Sequence, residues 1–156
     1  MLCIFLIILA SGGANSSTYS GYACEAFPGC HKDSLLSFSI THTLTGGSVA
    51  SVPKQLEGQF LPFFQNEWIH MIHRTIAIGG GFILIILSFI ELRQSQDRGN
   101  RIAGYAMIGL IFLEMGVGIV NAIYTVPLPI STLHTAIAAT LIGFLSYTFA
   151  KGLHES

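Results

Sequence analysis

Glu67-Trp68-Ile69-His70-Met71-Ile72-His73-Arg74 is the stretch whose reading decides the fold. Two histidines, a carboxylate and an arginine open an apolar run from Thr75 to Leu92 in which Glu91 is the only charge. A helix needs about 20 predominantly apolar residues to cross the hydrocarbon core of a bilayer, and this run supplies them. Titratable residues at the edge of such a segment face protein interior, a bound group or water, because lipid does not solvate them.

The rest of the chain agrees with that setting. It has 156 residues, which predicts one domain, and is 51% hydrophobic but only 10% charged. Mean hydropathy is +0.64. A water-facing surface draws on roughly 25% charged residues in an ordinary soluble domain, so a multi-pass membrane protein is predicted. A net charge of -1 carries no sign of a nucleic-acid partner.

The expected architecture is all-α: a four-transmembrane-helix bundle, one domain over 1–156, with helices at about 1–17, 68–92, 102–124 and 132–150. Met1 to Ala10 is almost wholly apolar and continues through small residues to Ser17. A secretory leader is the competing reading, but the positively charged start is missing, so a first spanning helix is preferred, with an unusual or trimmed beginning. Residues 93–101 read as a short polar loop. Thr125-Val126-Pro127-Leu128-Pro129 reads as a tight connection that proline keeps from being helical, with Ser131 as the N-cap of the fourth helix.

A long loop over 18–66 joins the first two helices. It carries Ala23-Cys24-Glu25-Ala26-Phe27-Pro28-Gly29-Cys30, where Pro28-Gly29 supplies a turn. Three cysteines suggest one pair plus one buried thiol, and a Cys24–Cys30 bridge fits an oxidising face of the membrane. Leu35, Leu36, Phe38 and Ile40 could form an interfacial element, and Asn15-Ser16-Ser17 matches a weak glycosylation sequon. Arg93, Arg98, Arg101 and Lys151 fall on one side of a four-helix arrangement, against Lys32 and Lys54 in the long loop. The positive-inside rule puts both termini in the cytoplasm and the cysteine loop outside.

Helices two and four then run in the same direction. His73 lies about five residues into one and His134 about four into the other; at roughly 1.5 Å per residue they share a depth. Two imidazoles at one depth on facing helices can hold a flat macrocycle through its iron, and bundles commonly supply ligands this way. His73 and His134 are therefore the candidate haem-iron ligands. Ala77 and Gly80 lie below His73, and Ala138 below His134; small residues there leave room for a plate, or let helices approach closely. Zinc is disfavoured because its usual cysteine or carboxylate ligands are not evident. His70 could hydrogen-bond a haem edge, shuttle protons or face the loop. Arg74 could pair with a haem propionate or snorkel to the interface. Glu67 reads as a capping or solvated carboxylate, with proton transfer as the alternative. Glu114, near the bilayer middle with Gly118 and Asn121 on its face, is expected to be protonated or paired, in a proton or substrate contact or an interhelical hydrogen bond.

These motifs resemble the heme A synthase family of cytochrome oxidase assembly proteins: the Cys24–Cys30 loop, Glu67-Trp68 with His73-Arg74 opening helix two, and Leu133-His134 opening helix four. Most members have two similar four-helix halves, and this chain is similar to one half, closest to the C-terminal one. The resemblance implies bis-histidine ligation by His73 and His134, a Cys24–Cys30 disulfide, and oxidation of the C8 methyl of haem O to the formyl of haem A. It places haem b, haem O or haem A as cofactor or substrate. It implies a homo-oligomer if two haems are needed, with haem O synthase or terminal oxidase subunits as further partners. His70 stands where a catalytic glutamate is expected in the family's N-terminal half, Ser16 near the position of a usual arginine, and Glu114 where glutamine is common. A non-catalytic haem b subunit, for electron transfer or assembly of a respiratory oxidase, is the alternative.

Overall fold

The computed structural model describes residues 1–24, 26–30 and 67–155. Glu25, Lys32, Lys54, His31, His42 and the element expected around Leu35 to Ile40 lie outside the described residues. Within them every regular element is helical: α1 (Leu2–Ser17), a short 3-10 turn (Ser20–Tyr22), α2 (Glu67–Gln94), α3 (Arg98–Ile123) and α4 (Leu128–Glu155). α2, α3 and α4 are long and apolar enough to cross a membrane. α1 is equally apolar but has 16 residues, about 24 Å, against a hydrocarbon core of roughly 30 Å. Large apolar side chains are exposed on all four helices, among them Ile7, Phe82, Ile86, Phe112 and Leu133, which is the surface a lipid-facing bundle presents.

Two helix starts differ from the sequence expectation. α3 begins at Arg98, because Asp97 is extended and its Oδ2 accepts the Asn100 N–H at 2.9 Å. An N-cap of this kind satisfies a donor with no intrahelical partner. Asp97→Ala should cost about 1 kcal/mol and lower the thermal midpoint in detergent, with Asp97→Asn recovering it; an unchanged midpoint in the alanine variant contradicts the cap. α4 begins at Leu128, not after Ser131. Pro129 sits in the first turn, where no N–H is needed, and the Ser131 N–H already bonds Pro127 O at 2.9 Å. The connection is thus only Tyr124 to Pro127, and Thr125 and Val126 both take left-handed φ of 57°. Such φ is uncommon for β-branched residues. Val126 rests on the 3-10 turn: a Cβ on Gly21 would lie 2.9 Å from Val126 Cγ2.

α2 packs between α1 and α3, α3 packs on α4, and α4 closes more loosely on α1. α2 and α4 therefore stand diagonally across the bundle. Phe5, Leu84, Met107, Ile111, Ile137, Leu141 and Leu145 form the buried apolar cluster. Because lipid is as apolar as leucine, close packing rather than water exclusion holds such helices together. Gly80 and Gly81 serve that packing. A Cβ on Gly80 would meet Ile8 Cδ1 at 2.7 Å, and one on Gly81 would meet Met115 Sδ at 2.7 Å. The space expected under His73 at Gly80 is thus taken by α1, and close helix approach is what that glycine provides. Cys3 is free but exposed, not buried as expected, since two residues from buried Phe5 is about 200° around the helix and points it to the opposite face.

Candidate functional site

His73 and His134 occupy the same register. Each lies six residues after the first residue of its helix, Glu67 in α2 and Leu128 in α4. Each ring lies on a glycine of a neighbouring helix. A Cβ on Gly12 of α1 would come within 3.1 Å of His73 Cε1, and one on Gly118 of α3 within 3.0 Å of His134 Cε1. Gly12 and Gly118 each lie five residues before the end of their helices, Ser17 and Ile123. Asn15 and Asn121 each follow three residues later. The α1–α2 and α3–α4 pairs thus repeat one device, a glycine seat facing a histidine.

Each imidazole is also met at Nδ1 by an oxygen. Ser11 Oγ lies 3.0 Å from His73 Nδ1 while donating to Ile8 O at 2.7 Å. Since that hydroxyl proton is used, His73 Nδ1 carries the hydrogen of the pair. Glu114 Oε1 lies 3.0 Å from His134 Nδ1, at ion-pair distance but off the alignment of a hydrogen bond. Neither His134 Nδ1 nor Glu114 Oε2 has another hydrogen-bonding partner among the described residues. Glu114 therefore lies at ion-pair distance from His134 across α3 and α4, without the interhelical hydrogen bond that is one of its expected roles. The Nε2 atoms of both rings have no hydrogen-bonding partner among the described residues.

That donor pattern suits metal ligation: Nδ1 engaged by an oxygen fixes ring and tautomer and leaves Nε2 for a metal. Two such imidazoles on diagonal helices are the donor set that could hold a haem iron. Among the described residues no group of three or more His, Cys, Asp or Glu side chains could hold a bare metal ion.

The other expected site residues gather one turn nearer the loop. Cys24 and Cys30 form a disulfide and are fully buried. Arg74, only 7% exposed, holds the loop they close. Its Nη1 donates to Ala26 O at 2.8 Å, Gly29 O at 2.8 Å and Pro28 O at 3.3 Å, and its guanidinium lies 5.6 Å from the Phe27 ring centre. Arg74 Nε donates to His70 Nε2 at 3.0 Å, and His70 is 4% exposed. Arg74 Nη2 is buried with no hydrogen-bond partner among the described residues. Glu67 is half-buried at the first residue of α2, where a carboxylate complements the helix dipole. Ser11, Gly12 and the seating role of Gly118 are not found by reading for chemistry-bearing side chains. The signal for the seats is the Gly-x-x-Asn spacing shared by α1 and α3.

Comparison with known proteins was then decisive for family. The COX15-CtaA family model, cytochrome oxidase assembly protein, matches residues 1–146. The chain belongs to this family. It is similar to the heme A synthase of Shewanella oneidensis, 26% identical over 144 residues, which covers 91% of this chain and 42% of that protein. The heme A synthases of Rickettsia rickettsii and Flavobacterium psychrophilum are each 24% identical, over 63% and 65% of this chain and 30% of their own lengths. The chain thus spans less than half the length of the curated relatives it matches. No solved structure matches it.

Proposed function

We propose that this membrane-embedded family member is a heme A synthase-like oxidoreductase, which clamps a haem between His73 and His134 and oxidises the C8 methyl of haem O to the formyl of haem A for terminal oxidases. The observation that carries this reading is the matched pair of imidazoles, each backed at Nδ1 and open at Nε2 on diagonal helices. When bound, haem supplies a redox-active iron and the porphyrin carrying the methyl group. The chain's own residues supply the clamp and its surroundings. Arg74 Nη2, buried and unpartnered, is a donor for a propionate. His70 and Glu67, on the loop side, are the candidates for taking protons from the oxidised methyl.

Methyl to formyl is a four-electron oxidation, with water supplying the formyl oxygen and four protons released, so an external electron acceptor is required. Action as a homo-oligomer, alongside haem O synthase or oxidase subunits, belongs to this reading, since one pair of histidines provides one haem site. The arginines at the α2–α3 turn support cytoplasmic termini and an external disulfide loop. A second reading, a non-catalytic bis-histidine haem b subunit, is favoured by His70: its Nε2 lone pair already accepts the Arg74 hydrogen.

The test is expression of the chain in membranes supplied with haem O, then pigment extraction and mass analysis. Haem A or its hydroxylated precursor is expected, with a six-coordinate bis-histidine spectrum. Full haem loading with no modified pigment overturns the oxidoreductase reading in favour of the second.

A further inference from the structure

We propose that the two histidines hold unequally, Glu114 making His134 the anchoring ligand and leaving His73 as the one that releases. The inference rests on the haem reading above. It starts from where the internal repeat breaks. Laying Gly12 on Gly118 superposes the seats, the asparagines and the histidines, but puts Ser11 opposite Val117 and Glu114 opposite Ile8. The two halves of the clamp therefore differ in what meets Nδ1. On α1 it is a neutral hydroxyl that already spends its proton on Ile8 O. On α3 it is a carboxylate whose other oxygen is buried and unpartnered.

A carboxylate charge 3.0 Å from Nδ1, even without an aligned hydrogen bond, raises the electron density of the ring and at Nε2, whereas a neutral hydroxyl does so weakly. The stronger donor stabilises the oxidised iron and keeps its bond longer. The Glu114 side chain is only 15% exposed, so its charge acts on the His134 ring with little screening by water. A protein that must deliver a finished haem needs a site that opens from one side while the other still holds. Unequal donation by the two rings supplies that order, with His134 holding while His73 lets go.

The experiment uses the full chain in detergent, loaded with haem b. Haem transfer to excess apomyoglobin is timed for His73→Ala and His134→Ala, and exogenous imidazole is added to each to show that the pocket survives. His73→Ala should keep haem about ten-fold longer than His134→Ala, in the range by which outer-shell partners change metal affinity. Glu114→Gln should erase that difference, and Ser11→Ala should leave it. With both ligands kept, Glu114→Gln alone should raise the midpoint potential of the bound haem, and Ser11→Ala should move it less; this arm needs no ligand deletion to fold. Equal or reversed retention, or a potential that Glu114→Gln leaves in place, overturns the inequality while haem binding stands. A wild-type chain that takes up haem b without a six-coordinate spectrum overturns the haem reading and this inference together.

Discussion

Arg74→Ala is expected to be the most damaging single substitution in the described part of the chain. One guanidinium serves Ala26 O, Pro28 O, Gly29 O and His70 Nε2, and all of it is buried. Removing it leaves three carbonyls and an imidazole without their donor, at a place shielded from water. Hydrogen bonds to charged groups contribute roughly 1.5–3 kcal/mol each, but they share one donor group and do not sum. A loss of about 3–5 kcal/mol is the expected scale, as for breaking other buried charged networks. The loop should detach before the bundle opens. Reduction of Cys24–Cys30 by dithiothreitol, followed by thiol labelling, should therefore speed up several-fold in Arg74→Ala under conditions where the helices persist by circular dichroism. Arg74→Lys should fall between, since an ammonium cannot reproduce the planar fork. A thermal midpoint and a labelling rate equal to wild type would refute the latch.

Gly118→Val is expected to cost the site rather than the fold. A Cβ at 118 already lies 3.0 Å from His134 Cε1, tighter than ordinary contact, and valine adds two methyls beside the ring. α3 and α4 cannot separate locally without losing their packing, so the imidazole must turn away. Haem retention should drop roughly ten-fold or more, the scale seen when a ligand's supporting group is lost. Gly12→Val should do the same to His73. Gly109→Ala and Gly116→Ala are the controls: nothing lies within 4 Å of a Cβ at either, and alanine should stabilise the helix by about 0.5–1 kcal/mol. Haem titration of the four variants, read by the bis-histidine spectrum, checks this. Unchanged binding in Gly118→Val means that the ring has another place to go.

Much of the bundle is legible in the sequence, for a physical reason. Lipid demands long uninterrupted apolar runs, so α2, α3 and α4 declare themselves. The shared register of His73 and His134 is legible for the same reason, because polar residues near the ends of such runs stand out. The start of α4 is not, since Pro129 reads as a breaker and only its place in the first turn makes it a helix former. Gly80 is half legible. Its spacing puts it on the His73 face, but spacing does not say that Ile8 fills the gap. Ser11 and Gly12 are the least legible, because a glycine seat acts through an absent side chain and a serine in an apolar helix carries no charge to mark it. Arg74 reads naturally as a partner for a ligand's anionic edge. Its grip on three loop carbonyls depends on the loop folding back over α2, a long-range contact without local pattern.

The buried cluster of Phe5, Leu84, Met107, Ile111, Ile137, Leu141 and Leu145 has a bearing on proton traffic. Every one of these residues lies on the same side of the two histidines, toward the α2–α3 turn, and none can carry a proton. They form an insulating plug across most of the membrane's thickness. Under the proposed function, protons released at the histidines would leave toward the disulfide-loop side, and turnover would neither draw on nor add to a transmembrane proton gradient.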